Sequence, residues 1–122
     1  MALVVQKKFH HHTFNATMTD ISTASSVFIT MPFRGRVVRA FVTIANAITG
    51  SDSALTSKIN GTAITGMTGT AAVSGSAAGT SFTLGDATAA NNFVDGDVIE
   101  LIMDGASSTA AVAQWTLVCH AY

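Results

Sequence analysis

Three consecutive histidines, His10, His11 and His12, are the residues most suited to chemistry in this chain. On an extended segment His10 and His12 share a side, a spacing that can chelate a metal ion. No Cys, Asp or Glu lies close in sequence to complete the ligand set, so surface or structural histidines are the expected reading. The densest carboxylates are Asp95, Asp97, Glu100 and Asp104. Asp95-Gly96-Asp97 resembles a fragment of a calcium loop but lacks the further oxygen ligands of an EF-hand. A hairpin turn entering a strand explains it more simply. Cys119 and His120 are adjacent, so in a strand they point to opposite faces and cannot act as a nucleophile–base pair. No G-x-S-x-G elbow and no phosphate-binding glycine loop occurs. Arg34, Arg36 and Arg39 carry half of the six Lys and Arg residues. They suit an acidic partner surface, a carbohydrate, or ion pairs at a solvated strand end. The sequence is therefore read as non-enzymatic, with no metal and no cofactor expected.

The elements that position these residues are strands. Short runs of Val, Ile, Phe and Thr alternate with Gly, Asn, Asp and Ser, and no window carries a capped helical stripe. Strands are predicted near 4–8, 27–31, 36–47, 54–59, 68–73, 80–84, 98–103 and 111–120. Asn60-Gly61, Asp95-Gly96 and Asp104-Gly105 are dipeptides that tolerate the positive φ of tight turns. This spacing predicts an all-β chain: one antiparallel β-sandwich or jelly-roll domain over 24–122, preceded by an extended N-terminal arm over 1–23.

Two strands carry apolar residues on both faces. Along 36–47, Val38, Ala40, Val42 and Ile44 form one apolar face, while the opposite face still holds Val37 and Phe41 beside Arg39. Along 111–120, Ala111, Ala113, Trp115, Leu117 and Cys119 share a face, opposite Val112, Thr116 and Val118. Two-sided apolar strands imply that something covers the second face. Another subunit is the expected cover; loops of the same chain are the alternative.

Composition points the same way. Only 11% of the 122 residues are charged, against roughly 25% in an average soluble domain. Ala, Thr, Ser and Gly supply nearly half of the chain. A net charge of −1 does not favour nucleic-acid binding. No apolar run approaches the ~20 residues of a membrane-spanning helix, and no signal peptide is read at the start. A lone cysteine precludes an internal disulfide. So few charges give a monomer little colloidal protection, which suggests surface buried against other chains.

The runs SVFITMPFRGRVVRAFVTIANAIT, ALTSKINGTAI and VDGDVIELIMDGASSTAAVAQWTLV together resemble small structural proteins of tailed-bacteriophage particles over about residues 25–119. The resemblance lies in a texture of strands and turns: a PF-x-G-x-V strand entry, ING-T-AI, and a terminal GDVIEL–DG–TLV. It implies a capsid decoration, or cement, protein: a small β-sandwich, often a trimer, bound to the major capsid protein on the outside of the shell. On that reading Val4, Val5, Phe9 and Phe14 are apolar anchors of the arm, and Lys7 and Lys8 pair with acidic capsid groups. Arg34, Arg36, Val37, Arg39 and Phe41 are the remaining expected contacts with capsid or subunit. A carbohydrate-binding module or a fibre- or tail-associated adhesion domain is the alternative. It would need an exposed aromatic platform, for which only Trp115 and Tyr122 are available, and Trp115 reads as core.

Overall fold

The computed structural model describes residues 10–122, and among these there is no helix. Ten strands follow one another: β1 (His10–Met18), β2 (Ser25–Thr30), β3 (Gly35–Ile44), β4 (Ser53–Ile59), β5 (Thr62–Ala63), β6 (Gly69–Ala71), β7 (Ser81–Thr83), β8 (Asn92–Phe93), β9 (Val98–Met103) and β10 (Ala113–Ala121). They form two antiparallel sheets. The first runs β1-β10-β3-β7, with β8 also pairing β3; the second runs β2-β9-β4-β5, with β6 also pairing β4. The pairings are nested: β1 with β10, β2 with β9, β3 with β7 and β8, β4 with β5 and β6. One long hairpin rolled up on itself gives this order, which is the jelly-roll form of the β-sandwich.

Alternation builds the core. In β9, Ile99, Leu101 and Met103 face inward while Val98, Glu100 and Ile102 face out. In β10, Ala113, Trp115, Leu117 and Cys119 are buried. Trp115 is fully enclosed at the centre of its strand, with Ala16 of β1 on one side and Val42 of β3 on the other. Among the described residues its indole N–H finds no hydrogen-bond partner, and neither does the buried hydroxyl of Ser53. Both donors are thus desolvated without return, a cost that surrounding apolar burial must outweigh.

The long strand β3 departs from simple alternation. Val37 pairs with Cys119 and Arg39 with Val118, so Val38 is an extra residue, a β-bulge. The bulge shifts the phase by one. Val37 before it and Ala40, Val42 and Ile44 after it all reach the core. The expectation that Val37 lies on the outward face is therefore corrected: a strict period of two fails across a bulge.

The segment over 10–23, expected to be part of an arm, is integrated into the sandwich. β1 pairs with β10 along its whole length, from His10↔Ala121 to Met18↔Ala113. Phe14 and Ala16 pack against the core, and Met18 and Ile21 are buried within it. The expected strand near 4–8 and the residues Val4, Val5, Lys7, Lys8 and Phe9 lie outside the described residues.

Candidate interaction surfaces

Each sheet presents an outer face built from the residues that alternate with the core. On the first sheet the register aligns Asn15, Thr116, Phe41 and Thr83 in one row, and Thr17, Gln114, Thr43 and Ser81 in the next. Neither row carries a charge. Neutral side-chain hydrogen bonds tie the rows across β1 and β10: Thr17 donates to Gln114 at 2.8 Å and Thr116 to Asn15 at 3.1 Å. Phe41 stands half-buried among these hydroxyls and amides. It is the part of the two-faced pattern of β3 that remains directed outward, with the bulged Val38.

The second sheet aligns Phe28, Glu100, Lys58 and Ala63. Phe28 is 65% exposed, although it sits in the middle of a strand. Its diagonal neighbours on the same face are Val98 and Ile102, both half-buried. Glu100 accepts a hydrogen bond from Ser26 at 2.6 Å. The sequence pattern did not single out Phe28, because SSVFIT gives no clue to which of its apolar residues the register turns outward.

The arginines separate. Arg39 pairs with Asp86 at 3.4 Å, both partners well exposed, so the pair contributes at most ~1 kcal/mol. Arg36 lies in the outer row His11–His120–Arg36, which continues to Asn92 of β8. Its guanidinium donates to His120 Nδ1 at 3.3 Å. Arg36 also lines a cavity of about 200 Å³ with Val37, Val38, Asp86, Ala87 and Asn91. Arg34 is exposed in the β2–β3 connection, where its carbonyl accepts from the Tyr122 amide. Two of the expected contact residues are claimed by the chain itself. Val37 is fully buried, and Phe14 stacks on Phe33 at 5.9 Å between ring centres.

The histidines also divide between faces. His12, itself exposed, packs its ring on Phe33, 4.7 Å between centres, on the side of the strand that Phe14 shares. His11 turns outward and meets His120, with the two Nε2 atoms 2.6 Å apart. The pair was invisible in the sequence, since 109 positions separate its members. Among the described residues no three of His, Cys, Asp and Glu converge in a way that could hold a metal ion.

Asp97 serves the turn. Its carboxylate accepts from the Val94 amide and from the Asn60 side chain, both at 2.9 Å. These two bonds hold its carboxyl below the usual carboxylate range. Cys119 lies in the core, and burial pushes its thiol up to about 12, so no thiolate is available for catalysis. Trp115 is enclosed and offers no aromatic platform, whereas Tyr122 is 67% exposed and donates its hydroxyl proton to Asn92 at 2.8 Å.

Fold and surfaces together define an all-β sandwich with two uncharged outer rows on its first sheet. No protein-family model matches the chain, and no curated protein matches it.

Proposed function

We propose that this chain is a structural protein of a tailed-phage particle that binds the outer surface of the capsid and stabilises the shell. The observation that carries the reading is the outer face of the first sheet. Two complete rows, from Asn15 to Thr83 and from Thr17 to Ser81, contain only Thr, Ser, Asn, Gln and Phe. These two rows give contact at little desolvation cost, since none of their eight side chains is charged; the charged Arg36 and Arg39 lie beyond them, towards the other end of the sheet. Exposed Phe28, Val94, Val112 and Tyr122 add apolar contact elsewhere on the surface. Extended contact is what a cement protein requires, because it stabilises the shell by binding the assembled state.

The proposed partner is the major capsid protein, and the proposed assembly is a symmetric oligomer, a trimer by resemblance. The site of action is then the virion exterior, after synthesis in the host cytoplasm. Electron microscopy of particles assembled with and without the protein tests this. Added density on the shell together with greater resistance to heat is the expected result. Shells that never bind the protein would refute it. Binding of immobilised glycans by the isolated protein, without shell binding, would favour the adhesion alternative.

A further inference from the structure

We propose that the His11–His120–Arg36 row is a proton-operated latch that holds the first half of edge strand β1 and releases it under mild acid. An arginine can only donate, so His120 Nδ1, facing Arg36, must be the bare acceptor nitrogen. The proton of neutral His120 is therefore on Nε2. That N–H points at His11 Nε2, 2.6 Å away, which must in turn be bare. The chain Arg36→His120→His11 has one consistent arrangement of protons, and it needs both rings neutral.

No proton can be added without breaking it. Protonating His120 puts an N–H on Nδ1, directed at the guanidinium. Protonating His11 puts an N–H on Nε2, directed at the Nε2–H of His120. The first opposes Arg36 and leaves the bond to His11, whereas the second sets two donors against each other across β1 and β10; either puts a new positive charge close to Arg36. Desolvation first, and then the neighbouring His11 and Arg36, hold the His120 imidazole below its ordinary value. Other charged groups lie around the row. Arg39 follows Arg36 on β3 and is occupied by Asp86, which also lines the cavity beside Arg36. His12 of β1 lies on the other side of the strand, with its ring against Phe33. Glu100 and Lys58 belong to the outer face of the other sheet. The neighbouring Tyr122 and Asn92 hydrogen-bond each other.

The latch acts on one half of β1 only. Towards Met18 the strand is fastened by Thr17–Gln114 and Asn15–Thr116, which do not titrate, and by the buried Met18. Release of residues 11–13 exposes the edge of β10 near Cys119 and His120, a free strand edge able to accept another strand.

Amide hydrogen exchange, expressed as protection factors between pH 7.5 and pH 5, tests the proposal on the intact chain. Residues 11–13 and their β10 partners 118–120 should lose roughly tenfold in protection, as a local opening that leaves the rest of the sheet closed. Residues 15–18 should keep theirs. His11→Gln and His120→Gln should each abolish the selective loss, Arg36→Gln should reduce it, and His12→Gln should leave it intact. Uniform loss along β1, no loss, or a loss that persists in both His11→Gln and His120→Gln would overturn the latch. Arg36 is on the surface, so its variant folds and keeps the test decisive if a histidine variant does not.

Discussion

Gly61 and Gly105 occupy matching places in two Asx-Gly turns, yet they should respond very differently to a single methyl group. Both hold positive φ, +86° and +77°. An alanine in either place incurs the left-handed strain of an L-residue, about 1 kcal/mol. At Gly61 nothing lies within 4 Å of the position a Cβ would take, so strain is the whole cost. At Gly105 the new carbon would overlap the Ala24 amide nitrogen and the Thr23 carbonyl carbon, and approach Thr23 Cα to 2.9 Å. Those atoms are backbone and cannot rotate away. They also belong to the turn that starts β2, where Asp20 takes the Ser22 amide at 2.9 Å and the Ser22 hydroxyl at 2.6 Å. Moving that turn adds an overpacking cost of about 1–3 kcal/mol. Gly61→Ala should therefore lose about 1 kcal/mol and Gly105→Ala about 2–4 kcal/mol. At roughly 4 °C per kcal/mol for a chain of this size, the melting temperatures fall by about 4 °C and about 8–16 °C. Thermal unfolding followed by circular dichroism reads both. Equal losses, or a larger loss at Gly61, would refute the reasoning that contact across the sandwich end, rather than φ alone, sets the cost.

Trp115→Phe should cost less than Leu117→Ala. It removes a buried N–H that has no acceptor and so offsets part of its cavity, whereas the leucine change costs about 2–5 kcal/mol; urea titration of both variants checks the order. Cys119 should resist a thiol reagent at pH 8 in the native state and react fully in denaturant, and rapid native labelling would contradict its burial. Asp97 is held below its ordinary value in the folded chain, so its contribution is present above the unfolded pKa of about 3.9 and is lost as pH falls through the lower folded value. Asp97→Asn should consequently flatten the decline of melting temperature below about pH 4, and an unchanged slope would show that the turn does not use the charge.

Much of the architecture was legible because it is local. β9 falls where the alternation of VIELIM places it, and Asp95-Gly96 turns into it. The buried face of β10 follows from Ala113, Trp115, Leu117 and Cys119 at every second position. The same reading missed β1, since HHHTFNATM has little apolar content and becomes a strand through its nine pairings with β10. The two-residue strands β5 and β8 were also missed. They are defined by one partner strand each and not by any pattern of their own.

What the sequence determined by itself is the all-β class, the turn positions and a surface poor in charge, because composition and period two act within a few residues. Tertiary structure alone decided how those pieces face one another. The bulge at Val38 sends Val37 into the core, and the register of β2 with β9 turns Phe28 outward. The roll of the sandwich brings His11 to His120, and sets Thr23 and Ala24 against Gly105 but leaves Gly61 open. Each is a contact between segments far apart in the chain, fixed by pairing and packing, and no short window of residues encodes it.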